Sequence, residues 1–124
     1  MATEQKTIIV AEDEPLVRML AVEVLAEAGF RVIEAAHADE ALARLNTYEG
    51  QVHLLFTDVH MPGSTLSGFQ LAHLVRINWP KIALIITSAA LELRGNELPI
   101  GGLFISKPYE LAELIGHVNR LTGA

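Results

Sequence analysis

The chain has 124 residues, of which 51% are apolar and only 6% aromatic, so a single core built from Leu, Ile, Val and Ala is expected. There is no cysteine, which excludes a disulfide scaffold, a thiol nucleophile and a Cys-ligated zinc site. Nine Lys/Arg against fifteen Asp/Glu leave a formal net charge of -6, which argues against nucleic acid as a direct partner because phosphate contacts need a basic patch.

Residues 1–6 are polar, lack the apolar segment of a signal peptide and read as a flexible tail. Thr7 to Ala11 is a β-branched run suited to a strand covered on both faces. Pro15 suits a first helical turn, with Asp13 or Glu14 as cap and as charge complement to the helix N-terminus. Val17, Leu20, Ala21, Val24, Leu25 and Ala28 then recur at the spacing of one helix face, and Gly29 supplies a stop.

Arg31 to Ala35 reads as a second strand, followed by a helix that buries Ala38, Ala41, Leu42 and Leu45. Val52 to Thr57 is a third strand, and His60 to Ser67, with Pro62 and Gly63, is a loop. Leu71, Leu74 and Val75 mark a third helix that ends near Asn78-Trp79-Pro80, and Ile82 to Thr87 is a fourth strand. A helix starting at Leu91 to Arg94 has little room before Gly95, Asn96, Pro99 and Gly101-Gly102, so it is expected to be short or irregular. Leu103 to Ser106 gives a fifth strand, and Leu111, Leu114, Ile115, Val118 and Leu121 a final helix.

The longest purely aliphatic stretch, Ile82 to Ile86, is far shorter than the roughly 18 residues of a membrane span, so a cytoplasmic protein with no membrane partner is expected. Strands alternating with helices, without linker or repeat, point to an α/β protein. Residues 7–122 are expected to form one domain around a doubly wound parallel sheet with helices on both faces. Ligands in such sheets bind beyond the carboxyl ends of the strands.

Those ends carry Glu12 and Asp13, Asp58, Ser88 and Lys107. Each has an ordinary alternative: the acidic triplet Glu12-Asp13-Glu14 as cap chemistry, Lys107 before Pro108 as a solvated turn, Ser88 bonding its own backbone. An Asp that ends a buried strand is harder to dismiss, since it is costly unless paired or ligated. Clustered carboxylates repel unless a cation neutralises them, and oxygen-only ligation with open positions suits Mg²⁺. With Lys107 and Ser88 alongside, the group is suited to holding a phosphoryl group beside a divalent cation.

From Thr7 to Leu121 the chain resembles the receiver domain of two-component response regulators. The residues carrying the resemblance are Ile8-Ile9-Val10-Ala11-Glu12-Asp13-Glu14-Pro15, Leu54-Leu55-Phe56-Thr57-Asp58-Val59-His60-Met61-Pro62, Gly68, Ile85-Ile86-Thr87-Ser88-Ala89 and Phe104-Ile105-Ser106-Lys107-Pro108. The resemblance implies a flavodoxin-like sheet order, 2-1-3-4-5. It implies that Asp58 accepts a phosphoryl group from a phosphohistidine on a sensor histidine kinase or phosphotransfer protein. Asp13, Glu12 through water, Asp58 and the His60 backbone carbonyl would hold Mg²⁺. Ser88 and Lys107 would contact phosphoryl oxygens, Ser88 and Phe104 would form the switch to an unnamed downstream protein, and the peptide before Pro108 would be cis.

The chain departs from the family pattern in Glu12 for the more usual Asp, Ser88 for Thr, and Phe104 for Tyr. Gly63-Ser64-Thr65 lengthens the loop after Asp58, and His60 and Ala90 lie near positions that tune dephosphorylation in the family. A shortened helix after Ala90 puts the family's usual output surface in question. The leading expectation is a stand-alone signalling receiver, not an enzyme beyond its own phosphorylation and dephosphorylation. A phosphorylation-independent interaction module on the same fold is one alternative, disfavoured by the intact Asp13, Asp58, Ser88 and Lys107. The other is a Mg²⁺-dependent phosphohydrolase, which would need its nucleophile at the end of the first strand and a lid.

Overall fold

The computed structural model describes residues 5–89, 98, 99 and 101–124. Most of the tail, Ala90 and most of the Leu91 to Gly102 stretch, with its expected short helix, therefore lie outside the described residues.

Five strands, β1 (Thr7–Ala11), β2 (Arg31–Ala35), β3 (Leu54–Asp58), β4 (Ala83–Ser88) and β5 (Leu103–Ser106), form one sheet. All pairings are parallel, in the order β2-β1-β3-β4-β5 that the resemblance implies. Among the described residues four helices accompany them: α1 (Pro15–Glu27), α2 (Ala38–Thr47), α3 (Gly68–Asn78) and α4 (Leu111–Thr122). β3 and β4 each begin later and end one residue further than the sequence pattern suggests. The register carries them on, with Asp58 opposite Thr87 and Ser88 opposite Ser106.

β1 is buried along its whole length because helices cover both faces of the sheet. Ile9, Leu55, Leu84 and Ile86 face a layer made by Ala38, Ala41 and Leu45 of α2 and Leu71, Ala72 and Val75 of α3. Ile8, Val10, Leu54, Phe56 and Ile85 face Ala21 and Leu25 of α1 and Leu114 and Val118 of α4. Alternation along each strand thus divides the aliphatic residues between two cores.

The α1 face is narrower than its periodicity predicts. Ala21 and Leu25 are buried, but Leu20 is 44% exposed and Ala28 is exposed, while Leu16 and Met19 add to the uncovered apolar surface. Helix α1 lies at the side of β1 and β2 with α4 as its helical neighbour, so only the central stripe finds cover. Gly29 ends the helix with φ +101, a left-handed turn that glycine takes at no steric cost, and its N–H donates to the Ala26 carbonyl.

Candidate functional site

Parallel strands bring their carboxyl ends to one edge, and β1, β3 and β5 each place an ionic residue there. Glu12 continues β1 by one residue, its N–H donating to the Ala35 carbonyl at 3.1 Å. Asp58 is the last residue of β3, and Lys107 follows β5, tied to β4 by its N–H donating to the Ser88 carbonyl at 2.9 Å. The side chains meet: Lys107 Nζ lies 2.9 Å from Glu12 Oε1 and 2.9 Å from Asp58 Oδ2.

The second oxygen of each carboxylate accepts from a backbone amide. Glu12 Oε2 receives the Glu14 N–H at 3.1 Å, and Asp58 Oδ1 receives the Val59 N–H at 2.7 Å. Both residues are buried, at 4% and 7% exposure, while Asp13 is half-buried at the same edge. One carboxylate oxygen from each of Glu12, Asp13 and Asp58 lies within 4.8 Å of the others.

Three carboxylates against the Lys107 ammonium leave an anionic surplus. Burial pushes the Glu12 carboxyl above its ordinary range; hydrogen bonds from Lys107 and from the Glu14 amide offset part of that, and the Asp58 charge adds to it. For Lys107, burial alone would lower the ammonium, but hydrogen bonds to Asp58 and Glu12, and their charges, hold it above the usual lysine value. A hard divalent cation fits this donor set, which is all oxygen, clustered and short of positive charge.

The flanking residues fix the edge. Arg18, from the second turn of α1, donates through Nη1 to the Glu12 carbonyl at 2.7 Å and through Nε to Glu34 at 3.2 Å. Tyr109 packs edge-to-face on Phe56 with ring centroids 5.6 Å apart, and burial, then the Glu12 charge, raises its phenol. Beside Tyr109 opens an apolar cleft of about 600 Å³ lined also by Val17, Leu20, Ala89, Pro108 and Leu111, with Lys107 at its wall. On the other flank Gly68 is pressed against the Asp58 peptide: a Cβ there would lie 1.8 Å from the Asp58 carbonyl oxygen.

The structure gathers Glu12, Asp13, Asp58 and Lys107 into one contact group. Ser88 is buried at the end of β4 and touches Lys107 through its backbone carbonyl. The neighbouring Thr87 has its hydroxyl engaged with the Ile105 carbonyl at 2.7 Å, leaving Ser88 as the residue at the strand terminus. His60 is exposed in the loop after Asp58, and Phe104, opposite Ile86 in β5, is half-buried on the α2–α3 side. The peptide between Lys107 and Pro108 is cis, as the resemblance implies.

Sequence reasoning did not single out Arg18, Tyr109 or Asp39. An Arg within a helix and a Tyr after a Lys-Pro turn carry no spacing signal. Gly68 was visible only as the residue opening a helix.

Residues 8–119 match the family model described as the response regulator receiver domain. The chain belongs to this family. As a receiver domain of two-component systems it is a phosphoryl acceptor within a signalling family, and receiver domains take that group from histidine kinases or phosphotransfer proteins. The receiver is 33% identical over 118 residues to the sensor kinase CckA of Brucella abortus, covering 93% of this chain but only 12% of the kinase. It is 31% identical over 119 residues to the response regulator receiver protein CpdR of the same organism, covering 94% of this chain and 96% of CpdR. The crystal structure of response regulator TrrA from Thermotoga maritima, in complex with Mg²⁺-BeF, superposes with a TM-score of 0.81 at 28% identity over 94% of this chain and 99% of that one. Receiver domains bind Mg²⁺ through acidic residues, and this receiver has such a cluster. None of its described helices is long and apolar enough to cross a membrane.

Proposed function

We propose that residues 7–122 act as one cytoplasmic receiver in which Asp58 takes a phosphoryl group from a phosphohistidine on a sensor histidine kinase or phosphotransfer protein. A carboxylate oxygen of Asp58 forms the new P–O bond as the donor's P–N bond breaks, and the imidazole departs. Such a transfer needs positioning and charge stabilisation more than covalent help from the protein. Lys107, held 2.9 Å from Asp58 Oδ2, is the observation that carries the reading, because its ammonium already stands where phosphoryl oxygens will gather.

Asp13, Asp58, the His60 carbonyl and, through water, Glu12 would hold Mg²⁺. When bound, Mg²⁺ supplies neutralisation of the phosphoryl charge. The Val59 amide orients Asp58 by holding one of its oxygens. Ser88 donates its hydroxyl to the arriving group, and its displacement, followed by Phe104, alters a surface read by a downstream protein. The intact acidic group and Lys107 disfavour a phosphorylation-independent module. A hydrolase is disfavoured because the carboxylate that pairs with Lys107 beside Glu12 lies on β3, not at the head of β1.

Incubation with Mg²⁺ and a small acyl phosphate, followed by intact-mass measurement, is expected to show a single phosphoryl adduct. Asp58→Asn is expected to show none. An equal adduct on Asp58→Asn, or none on the native chain, rejects the assignment.

A further inference from the structure

The loop that follows Asp58 carries Gly63-Ser64-Thr65 at its outer part, and none of these residues has a part in the transfer described above. Its two ends meet, since the Gly68 N–H donates to the Val59 carbonyl at 2.9 Å, while the Val59 N–H reaches the Thr87 carbonyl at 3.1 Å. Met61 is 5% exposed and anchors the loop in the α2–α3 core. His60 therefore lies between Val59 and Met61, and turning of the loop's outer part would reach its peptide through Met61.

That outer part is bound to α2 by a reciprocal set of hydrogen bonds. Asp39 Oδ2 accepts the Thr65 N–H at 2.8 Å, and Asp39 Oδ1 accepts the Thr65 hydroxyl at 2.8 Å. In return Ser64 Oγ accepts the Asp39 N–H at 3.1 Å, and the Ser64 N–H turns back to the Met61 carbonyl at 3.3 Å. The post is firm. Ala38 and Ala41 on either side of Asp39 are fully buried, and the α2 start is closed by His37 Nδ1 accepting the Glu40 N–H and Glu40 accepting the Ala36 N–H. A charge-assisted pair of bonds from one residue fixes both position and rotation of the peptide that bears it.

We infer that Asp39 and Thr65 are positioning residues, which hold the His60 peptide in place for Mg²⁺ through the outer part of the loop. The inference rests on the metal site proposed above, and the path is short: the Asp39 N–H holds Ser64 Oγ, and the Ser64 N–H holds the carbonyl of Met61, the residue after His60. Residues that orient metal ligands from outside the ligand set commonly change metal affinity by about ten- to a hundredfold, and this tie acts through five residues of chain, so the lower figure applies.

The test is Mg²⁺ titration by calorimetry on the native chain, Asp39→Ala, Thr65→Val and Thr65→Ser, with thermal unfolding and amide exchange measured without Mg²⁺. Asp39→Ala is expected to weaken Mg²⁺ binding about tenfold and Thr65→Val about threefold, with Thr65→Ser restoring the native value. Amides of residues 59–66 exchange faster in the two weakened variants, while the midpoint of unfolding falls by no more than about 4 °C. Native affinity in Asp39→Ala, or Thr65→Ser as weak as Thr65→Val, overturns the inference. Should Asp39→Ala unfold, the Thr65 pair alone decides. A native chain that fails to bind Mg²⁺ overturns the metal site together with the inference, whereas native binding with unaltered variants overturns the inference alone.

Discussion

The two helical layers enter the sheet in opposite ways. On the α2–α3 side both helices start with side-chain caps: His37 on the Glu40 amide, and a reciprocal Ser67–Gln70 box at 3.1 and 2.9 Å. On the α1–α4 side, Glu14 and Glu110 occupy the cap positions and neither makes a side-chain cap bond. The first side is also tied across by Asp39 and Thr65, while the second exposes Leu16, Met19 and Leu20 beside an apolar cleft. Asp58 lies between a flank that is locked and a flank that is open. Rigidity on one side holds the Asp58 carboxylate, and under the proposed transfer the open side would be the one left for a donor protein.

The largest break in this contrast is expected at Gly68. Gly68→Ala forces a Cβ against backbone atoms of Asp58 and Val59, none of which can rotate away. The expected cost is about 3 kcal/mol in urea unfolding, with reduced phosphorylation of the variant. A loss below about 1 kcal/mol means that α3 can withdraw, and the locked flank is then softer than described.

Much of this fold is legible in the sequence. The β-branched run of β1, the periodic faces of α2 and α4 and the turn signals between them agree with one topology. Asp58 stands out because a charged residue ending a buried strand needs a partner, and Lys107 only through the Lys-Pro pair that carries the resemblance. What could not be read is cross-chain in nature. Arg18 on the Glu12 carbonyl, Tyr109 on Phe56 and Asp39 on Thr65 are separated in sequence by 6, 53 and 26 residues, and their partners are set by packing rather than by spacing. The narrow buried stripe of α1 escaped for a related reason: periodicity shows which residues share a face, not how much of that face a neighbour covers. At Gly68 the letter was visible but the 1.8 Å approach was not.

A smaller effect sharpens the contrast at the helix starts. Ser67→Ala removes half of a reciprocal cap and is expected to lower stability by about 1 kcal/mol. Glu14→Ala, at the uncapped start of α1, is expected to stay within about 0.5 kcal/mol. Matched denaturation curves for the pair check it, and equal losses erase the distinction between the flanks.

The smallest effect is the titration of Asp39. The Thr65 N–H, then the Thr65 hydroxyl, hold its carboxyl below the ordinary 3.8. Because the native value lies below the unfolded one, the tie contributes above pH 3.8 and is lost as pH falls through the depressed native value. Carboxyl NMR should find the Asp39 midpoint below 3.8 and shifted upward in Thr65→Val, but still short of 3.8 because the amide bond remains. A native midpoint at or above 3.8 means that the Thr65 bonds do not favour the charged carboxylate over the neutral form.

The missing side chain at position 68 also has a mechanical meaning. With no side-chain atoms at position 68, the Asp58 carbonyl and the first residue of α3 lie in direct backbone contact. α3 has 11 residues, so it is about 16 Å long, and a tilt of about 5° at Gly68 carries its far end roughly 1.4 Å. At that far end Ile77 is 76% exposed. A small displacement of the Asp58 peptide, if passed to α3 as a tilt, would therefore be magnified by lever action where α3 meets solvent.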